Sequence, residues 1–230
     1  MGYDMKKQLC AFIPNKIGNK LVVDAFDVMS KQSKLFQKDY SSHLATNEER
    51  FKLHLESIEK AGGYIEDQSN YGDMPFGESN VNHSGCEIIS TYNALFHLTG
   101  KHEVSLPQLI AEFEKKGMVL SGKFGTSPKA VMDYLKSLGF ECEMVTKEEE
   151  FNALGKRSST LILTMYNDGS DITQEVHTIH VSKNENQYTA HNTYGSGKVV
   201  GPAPSVTELI SMIHKGKAKG ISLIGINRRK

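Results

Sequence analysis

The spacing of apolar residues changes once along this chain of 230 residues, near residue 140. Before that point apolar side chains recur at steps of three and four residues, the period of an amphipathic helix. After it they alternate in short β-rich segments, as in strands: "FECEMV", "STLILTMY", "VHTIHVSK", "QYTAHNTY" and "GISLIGINR". One further helix, "SVTELISMIHKG", precedes the last strand. The order predicts an α+β fold with helices packed on a mostly antiparallel β-sheet.

Two helices are predicted within residues 20–61. The first is indicated by the helical spacing of its apolar residues, and Thr46 with Glu49 has the spacing of a capping box at the start of the second. A Gly-Gly pair then ends the run. We interpret residues 1–66 as an N-terminal helical extension and residues 67–230 as the main domain.

Three more helices follow a loop that is rich in turn-forming residues, at positions 67–79. The first is predicted to begin at Cys86. In the second, "SLPQLIAEFEKKG", Ser105 is the expected N-cap, and in the third, "TSPKAVMDYLKSLG", Ser127 and Pro128 mark the start.

The composition disfavours two classes of partner. The chain carries 27 basic and 27 acidic side chains, so no overall field attracts it to nucleic acid or to an anionic membrane surface. Its apolar runs reach only about seven residues, whereas a membrane-spanning helix needs about 20. The N-terminal apolar segment stops at Pro14, too early for a signal peptide. We therefore expect a cytoplasmic protein that contacts neither nucleic acid nor membrane.

Three cysteines, Cys10, Cys86 and Cys142, fit neither a disulfide framework nor a zinc site, because their number is odd and their spacing wide. Cys86 differs from the others because it stands where a helix begins, after Ser84 and Gly85. Unpaired backbone N–H groups and the helix dipole favour a thiolate in a first turn, and the same N–H groups can bind an oxyanion. Cys86 is therefore a candidate nucleophile.

A thiolate nucleophile needs an imidazole and a group that orients it. His177 and His180 lie on one predicted strand but on opposite faces, so only one can face Cys86. If the hairpin that follows has an even number of turn residues, residue 177 pairs with 194 and Asn192 becomes a same-face neighbour of His177. A three-residue loop would favour His180 instead. We favour His177, oriented by Asn192.

These segments, in this order, resemble papain-like cysteine peptidases of the bacteriocin-leader-processing type, also called double-glycine peptidases. The resemblance covers roughly residues 75–230 and is carried by "SGCEIISTYNALFHL", "SLPQLIAEF", "GTSPKAVMDYLKSLGFECE" and "HTIHVSKNENQYTAHNTYG". It implies that Cys86 is the nucleophile, His177 the imidazole and Asn192 the orienting residue. Asn80 stands where the family places the glutamine of the oxyanion hole. No transporter segment accompanies the domain, so we expect a freestanding relative.

No cofactor or metal is expected. His83 with Cys86, or His177 with His180, could start a metal site, but the strand pair points to two faces and no further ligand stands at a suitable spacing. The segment "YGSGKVVG" lacks the Ser or Thr and the strand-to-helix context of a phosphate-binding loop.

The sequence thus predicts a thiol hydrolase, most simply a cysteine peptidase that acts on a peptide or protein through a Cys-His-Asn triad and an acyl-enzyme. An acyltransferase of the same fold would use the same triad with an amine acceptor. A catalytically silent binding module is the alternative that Glu87 and Asn80 favour, since a carboxylate beside the thiol opposes thiolate formation. A toxin or effector domain, with the N-terminal helices as a partner-binding appendage, is a further alternative.

Overall fold

A computed structural model describes residues 18–33, 38–169, 176–193 and 198–229. The predicted α+β class is confirmed, because helices fill most of the first half and an antiparallel sheet is built from the second. The helices are α1 (Asn19–Ser33), α2 (Ser42–Lys52), α3 (Leu55–Lys60), α4 (Val81–Ser84), α5 (Cys86–Thr99), α6 (Leu106–Lys115), α7 (Pro128–Ser137), α8 (Phe151–Arg157) and α9 (Val206–Met212). Short 3-10 turns occupy Gln68–Tyr71, Glu148–Glu150 and Ile213–Gly216.

The strands form two sheets. A small hairpin pairs β1 (Pro75–Phe76) with β2 (Ser79–Asn80). The main sheet contains β3 (Glu141–Val145), β4 (Thr160–Tyr166), β5 (Val176–Asn184), β6 (Gln187–His191), β7 (Val199–Ala203) and β8 (Lys219–Asn227). Its order is β3-β8-β4-β5-β6-β7, so the last strand of the chain inserts between two earlier ones, and every pairing is antiparallel.

The main sheet is covered on both faces, which makes the fold a three-layer arrangement. On one face Ile162, Ile224 and Ile226 join the apolar side chains of α2, α5 and α6 in a first core. On the other face Leu161, Leu163 and their neighbours pack against α8 and α9 in a second core. Both cores follow from the two-residue alternation of strands whose faces are both apolar.

The N-terminal helices pack against the rest of the molecule. Val22 and Val23 of α1 are buried against Tyr166 and Ile221 of the sheet. Side chains from α2 and α3, among them Phe51, belong to the first core. Helices α2 and α3 therefore contribute to the same apolar interior as α5 and α6, whereas α1 packs in a separate cluster.

The predicted helix caps are right in one case and wrong in another. Ser105 forms the capping box at the start of α6 with Gln108, as its spacing indicates. The capping box predicted from Thr46 and Glu49 is wrong, because α2 begins at Ser42 and the Thr46 hydroxyl donates to the Ser42 carbonyl inside the helix. The capping-box spacing of three residues also occurs within helices, where side chains three or four apart share a face.

Strand β7 is a strand that the sequence did not predict. Its sequence, "VVGPA", does not alternate between apolar and polar residues. It also contains Gly201 and Pro202, which are unfavourable inside a β-strand. It forms at the edge of the sheet, where only one neighbour, β6, requires hydrogen bonds. The five predicted strands and the helix before β8 are confirmed. In the part of the chain described above, no helix is long and apolar enough to span a bilayer.

Candidate active site

Cys86 is the first residue of α5, as its position before an apolar helical stripe predicts. A single non-helical residue, Gly85, separates α4 from α5 and is both the C-cap of α4 and the N-cap of α5. A β-carbon at Gly85 would lie 2.7 Å from the Val81 carbonyl oxygen, so this tight junction requires glycine. Cys86 is only 8 % exposed, so its thiol is buried.

The Glu87 carboxylate is buried next to this thiol. Its Oε2 atom accepts hydrogen bonds from the Cys86 Sγ at 3.3 Å and from the Thr126 backbone N–H at 3.3 Å. Its Oε1 atom accepts from the Thr178 hydroxyl at 3.2 Å. Burial raises the pKa of Glu87 above its ordinary value, and these hydrogen bonds oppose the rise. The carboxylate thereby links the start of α5 to the loop before α7 and to strand β5.

His177 lies in β5 and is almost completely buried. Its Nε2 atom is 2.7 Å from the backbone carbonyl oxygen of Asn192. A carbonyl only accepts, so Nε2 carries the proton in this hydrogen bond. Burial lowers the pKa of His177 to about 4, although the Asn192 carbonyl favours the protonated ring. The imidazole is therefore neutral near pH 7.

The face of β5 that meets α5 carries Thr178. This side chain bonds to Glu87, and its carbonyl oxygen accepts from Ser90 of α5 at 3.0 Å. Neighbouring strand residues point to opposite faces, so His177 projects with Ile179 toward the second core. The structure thus brings Cys86 to one end of β5 through Glu87 and Thr178 and places the His177 ring on the other side of the sheet.

Asn192 contacts His177 through its backbone rather than through its amide, which corrects the expected mode of orientation. The Asn192 Oδ1 atom accepts from the Gln68 backbone N–H at 2.9 Å, and its Nδ2 donates to the Gln68 Oε1 at 3.2 Å. The backbone of Asn192 has φ 60, a left-handed conformation that asparagine adopts more readily than most residues. This turn directs the carbonyl at the imidazole.

Gln68 is a buried site residue that the sequence analysis missed. Besides holding the Asn192 amide, its Nε2 donates to the Asn82 carbonyl at 2.7 Å, in the helix that leads to Cys86. Its only sequence signal is that it is a polar residue in a segment rich in turn formers. Burial of the side chain depends on contacts more than 120 residues away, which local patterns do not encode.

Asn80 caps α4. Its Oδ1 atom accepts from the His83 backbone N–H at 3.0 Å, which satisfies a donor at the helix start. The amide oxygen is thus used for the fold, and the Nδ2 group is the donor that an oxyanion role requires. Asn80 lies one short helix before Cys86, in agreement with its position in the sequence.

The condition on the hairpin register is met. Asn184 pairs with Gln187 across a turn of two residues, and His180 pairs with His191. The predicted pairing of residue 177 with residue 194 lies outside the described residues.

A second group of buried rings surrounds His180. Ring centroids lie 5.1 Å apart for His180 and His191, 5.6 Å for His97 and His180, and 4.3 Å for Tyr64 and His191. The Thr160 hydroxyl donates to the Val181 carbonyl and accepts from His180 Nε2 at 2.7 Å. Burial, with the nearby His191 and His97 rings, lowers the pKa of His180 well below its ordinary value. His180 is thus a neutral packing residue of the α5 face.

Within the described ranges, no group of three or more histidine, cysteine or acidic side chains is placed to hold a metal ion.

Comparisons with known proteins found a similar solved structure but no similar sequence. No protein-family model matches the sequence. No curated protein matches it either. Among solved structures, the fold is similar to the peptidase domain of ComA from Streptococcus, described as a bi-functional ABC transporter involved in a quorum-sensing pathway. The similarity covers 63% of this chain and 91% of that domain, with 16% sequence identity and a TM-score of 0.39.

Proposed function

We propose that this protein is a papain-like thiol hydrolase, most simply a cysteine peptidase acting on a peptide or protein, with Cys86 as its nucleophile. One observation carries the proposal: Cys86 begins a helix of 14 residues, and its sulfur is held there by a buried acceptor. The first-turn N–H groups of such a helix favour negative charge on the sulfur and on a carbonyl oxygen that the sulfur attacks. The helix start thus favours covalent catalysis at this thiol.

The proposed reaction passes through an acyl-enzyme. Cys86 attacks a carbonyl carbon, the leaving amine departs with a proton, and water cleaves the thioester. The backbone N–H of Cys86 and the Nδ2 group of Asn80 are the proposed oxyanion donors. His177 is the proposed imidazole and Asn192 its anchor, supported by the 2.7 Å contact between the ring and the Asn192 carbonyl. An amine acceptor in place of water would make the same site an acyltransferase.

A catalytically silent binding module is the second candidate, and two observations favour it. The His177 ring projects from the sheet face opposite Thr178, and burial lowers the pKa of His177 to about 4. A thiolate-imidazolium pair near pH 7 needs a histidine pKa well above that value. In such a module Cys86 would be an ordinary thiol that packs at a helix start.

The two candidates differ in whether Cys86 becomes acylated. We would mix the full-length protein with a p-nitrophenyl ester and measure the release of nitrophenol together with the mass of the intact protein. A hydrolase gives an initial burst and an acyl adduct on the Cys86 peptide, both lost in Cys86→Ala. A Cys142→Ala variant should keep the burst, because burial raises the pKa of that thiol to about 11. Absence of both burst and adduct would support the binding module.

A further inference from the structure

Glu87 is an acid that the predicted triad does not use, yet its carboxylate contacts the proposed nucleophile. It is only 6 % exposed, and burying a carboxyl group is costly unless partners compensate. The strongest influences on its pKa are burial, which raises it, and hydrogen bonds from its own backbone, Cys86, Thr126 and Thr178, which lower it. None of these groups is cationic. Among the residues that the structure describes, Glu87 is therefore a buried acid stabilised by neutral donors.

Three elements hold the carboxylate against the sulfur. Helix α5 carries it, the loop before α7 donates the Thr126 N–H, and β5 donates the Thr178 hydroxyl. The loop also leaves room for it: a β-carbon at Gly125 would lie 2.6 Å from the Glu87 Oε2. Gly125 has φ +73, which favours glycine for the backbone as well. The same oxygen that accepts from the loop accepts from the thiol.

The groups around the carboxylate fit its ionised, hydrogen-bond-accepting form. Thr126 and Thr178 donate to the carboxylate, so Glu87 acts as an acceptor at both oxygens. The Cys86 thiol, 3.3 Å from Oε2, is placed to donate its proton to the same carboxylate. No rearrangement of heavy atoms is needed for that proton to move from Sγ to Oε2. By contrast, the His177 ring lies on the opposite face of β5.

We propose that Glu87 is a catalytic residue of this site and is the group that accepts the Cys86 proton when the sulfur attacks. This proposal rests on the thiol chemistry proposed above and assigns the first proton transfer to the carboxylate. The raised pKa of Glu87 brings its proton affinity closer to that of a thiol, which makes the transfer less uphill than it would be to an exposed glutamate.

In the proposed reaction, Glu87 accepts and returns each proton that is transferred. As Sγ bonds to the substrate carbonyl carbon, the Cys86 proton passes to Oε2 and the carbonyl π electrons move to oxygen. The oxyanion then collapses, the carbon–nitrogen bond breaks, and the Glu87 proton passes to the departing nitrogen. Water next attacks the thioester and gives a proton to Glu87. The thiolate leaves as the acid product forms, and Glu87 returns the proton to sulfur.

The proposal is testable because the two possible roles of Glu87 change the alkylation rate of Cys86 in opposite directions when the carboxylate is neutralised. If Glu87 only places a negative charge near the thiol, its neutralisation lowers the thiol pKa and speeds alkylation. If Glu87 accepts the proton, its neutralisation slows the reaction. We would label full-length wild type and Glu87→Gln with iodoacetamide from about pH 5 to about pH 9 and quantify the Cys86 peptide by mass spectrometry. Near pH 7 we expect Glu87→Gln to react more slowly, on the order of 100-fold.

Glu114→Gln is the matched control. Glu114 is also a buried acid whose pKa burial raises, and it accepts from Gly77 and His43 instead of a thiol. We expect it to leave Cys86 labelling at the wild-type rate. Circular dichroism of each variant checks folding.

If Glu87→Gln does not fold, Thr178→Val provides the test, because it keeps the carboxylate and removes one donor. The carboxylate then binds its proton more tightly, so the acidic limb of the labelling profile should move to higher pH, by about one pH unit. An unchanged profile would overturn the assignment to Glu87.

The outcomes separate this proposal from the proposed function. Fast wild-type labelling that is lost in Glu87→Gln and kept in Glu114→Gln supports both. Fast labelling that survives Glu87→Gln overturns the role of Glu87 and leaves the proposed thiol hydrolase standing. Slow wild-type labelling with an ordinary thiol profile near about pH 8.5 overturns the thiol hydrolase and this role together.

Discussion

At the scale of single residues, the candidate site contains two buried titratable side chains, an acid that accepts hydrogen bonds and a neutral imidazole. Glu87 accepts from a thiol, a backbone N–H and a hydroxyl, and the His177 ring donates to a carbonyl. Each is bound to neutral partners, so a change in protonation removes a favourable contact or leaves a charge inside the protein. Stability should therefore respond to pH and to small changes in packing at these positions.

Gly125→Ala should destabilise the protein more than Gly139→Ala. Both glycines have positive φ, but a β-carbon at Gly125 meets the Glu87 carboxylate, whereas the space around Gly139 is open. Backbone strain alone costs roughly 1–2 kcal/mol, and displacing the bound carboxylate adds at least about 1 kcal/mol at Gly125. Urea unfolding of the two variants measures the difference. Equal losses would show that the carboxylate moves aside freely.

His177 should make the protein less stable in mild acid. Its folded pKa is about 4 and that of an unfolded histidine about 6.5, so the unfolded chain binds the proton first as the pH falls. The stabilisation is present above about pH 6.5 and is lost toward pH 4. Between about pH 7 and pH 5 the loss amounts to about 2 kcal/mol.

Urea unfolding of wild type and His177→Gln at these two pH values isolates this contribution. The raised pKa values of Glu87 and Glu114 act in the opposite direction, but they do so in both proteins. The variant should lose less stability on acidification by about 2 kcal/mol. The same pH dependence in both proteins would mean that the His177 ring is accessible to protons in the native state.

At the scale of elements, the helices that surround the site begin in different ways. Helix α5 starts on a glycine N-cap, which makes no side-chain hydrogen bond. Helix α6 starts with a complete capping box from Ser105 and Gln108. Helix α7 starts after Ser127, whose side chain makes no cap hydrogen bond.

Ser105→Ala should cost about 1 kcal/mol of unfolding free energy, because it removes the side-chain acceptor of the α6 capping box. Ser127→Ala is the matched control. Its hydroxyl is buried without a hydrogen-bond partner in the described structure, so its removal should cost less or should stabilise slightly. Thermal unfolding of both variants checks the order. A larger loss for Ser127→Ala would contradict the capping assignments.

At the scale of the whole molecule, the three layers depend on residues that precede the predicted main domain. Phe51, Ile58 and Ile65 are buried in the first core with α5 and α6. Glu66 accepts from the His191 ring and from the Asn192 backbone N–H, so the end of this segment supports the turn that holds His177. Residues 51–66 are thus part of the environment of the site.

Deletion of residues 1–66 should unfold the protein rather than activate it. Loss of three large core side chains costs roughly 2–5 kcal/mol each, which is comparable to the total stability of a typical domain. Circular dichroism and a proteolysis time course of the 67–230 fragment test this expectation. A folded fragment with faster ester hydrolysis would instead identify the first 66 residues as a separable segment that blocks the site.

The sequence by itself determined the features that are set by neighbours a few residues apart. The change from helical to alternating spacing near residue 140 specified the α+β class, since each period buries one face of its element. Local turn chemistry and spacing likewise placed Cys86 at a helix start and supported the two-residue hairpin turn after β5. The edge strand β7 was not predicted, because Gly201 and Pro202 interrupt the alternation of apolar residues in its sequence.

Only the tertiary structure decided which side chains meet. The alternation of residues along a strand predicts that His177 and His180 lie on opposite faces of the sheet. It does not predict which face helix α5 covers, because that depends on contacts such as the one between Glu87 and Thr178, 91 residues apart. The pairing of the Asn192 amide with Gln68 spans 124 residues. Local periodicity carries no information about such distant partners. The physical reason is that burial and hydrogen-bond partners arise when separate elements pack together, and this packing placed a carboxylate beside the thiol.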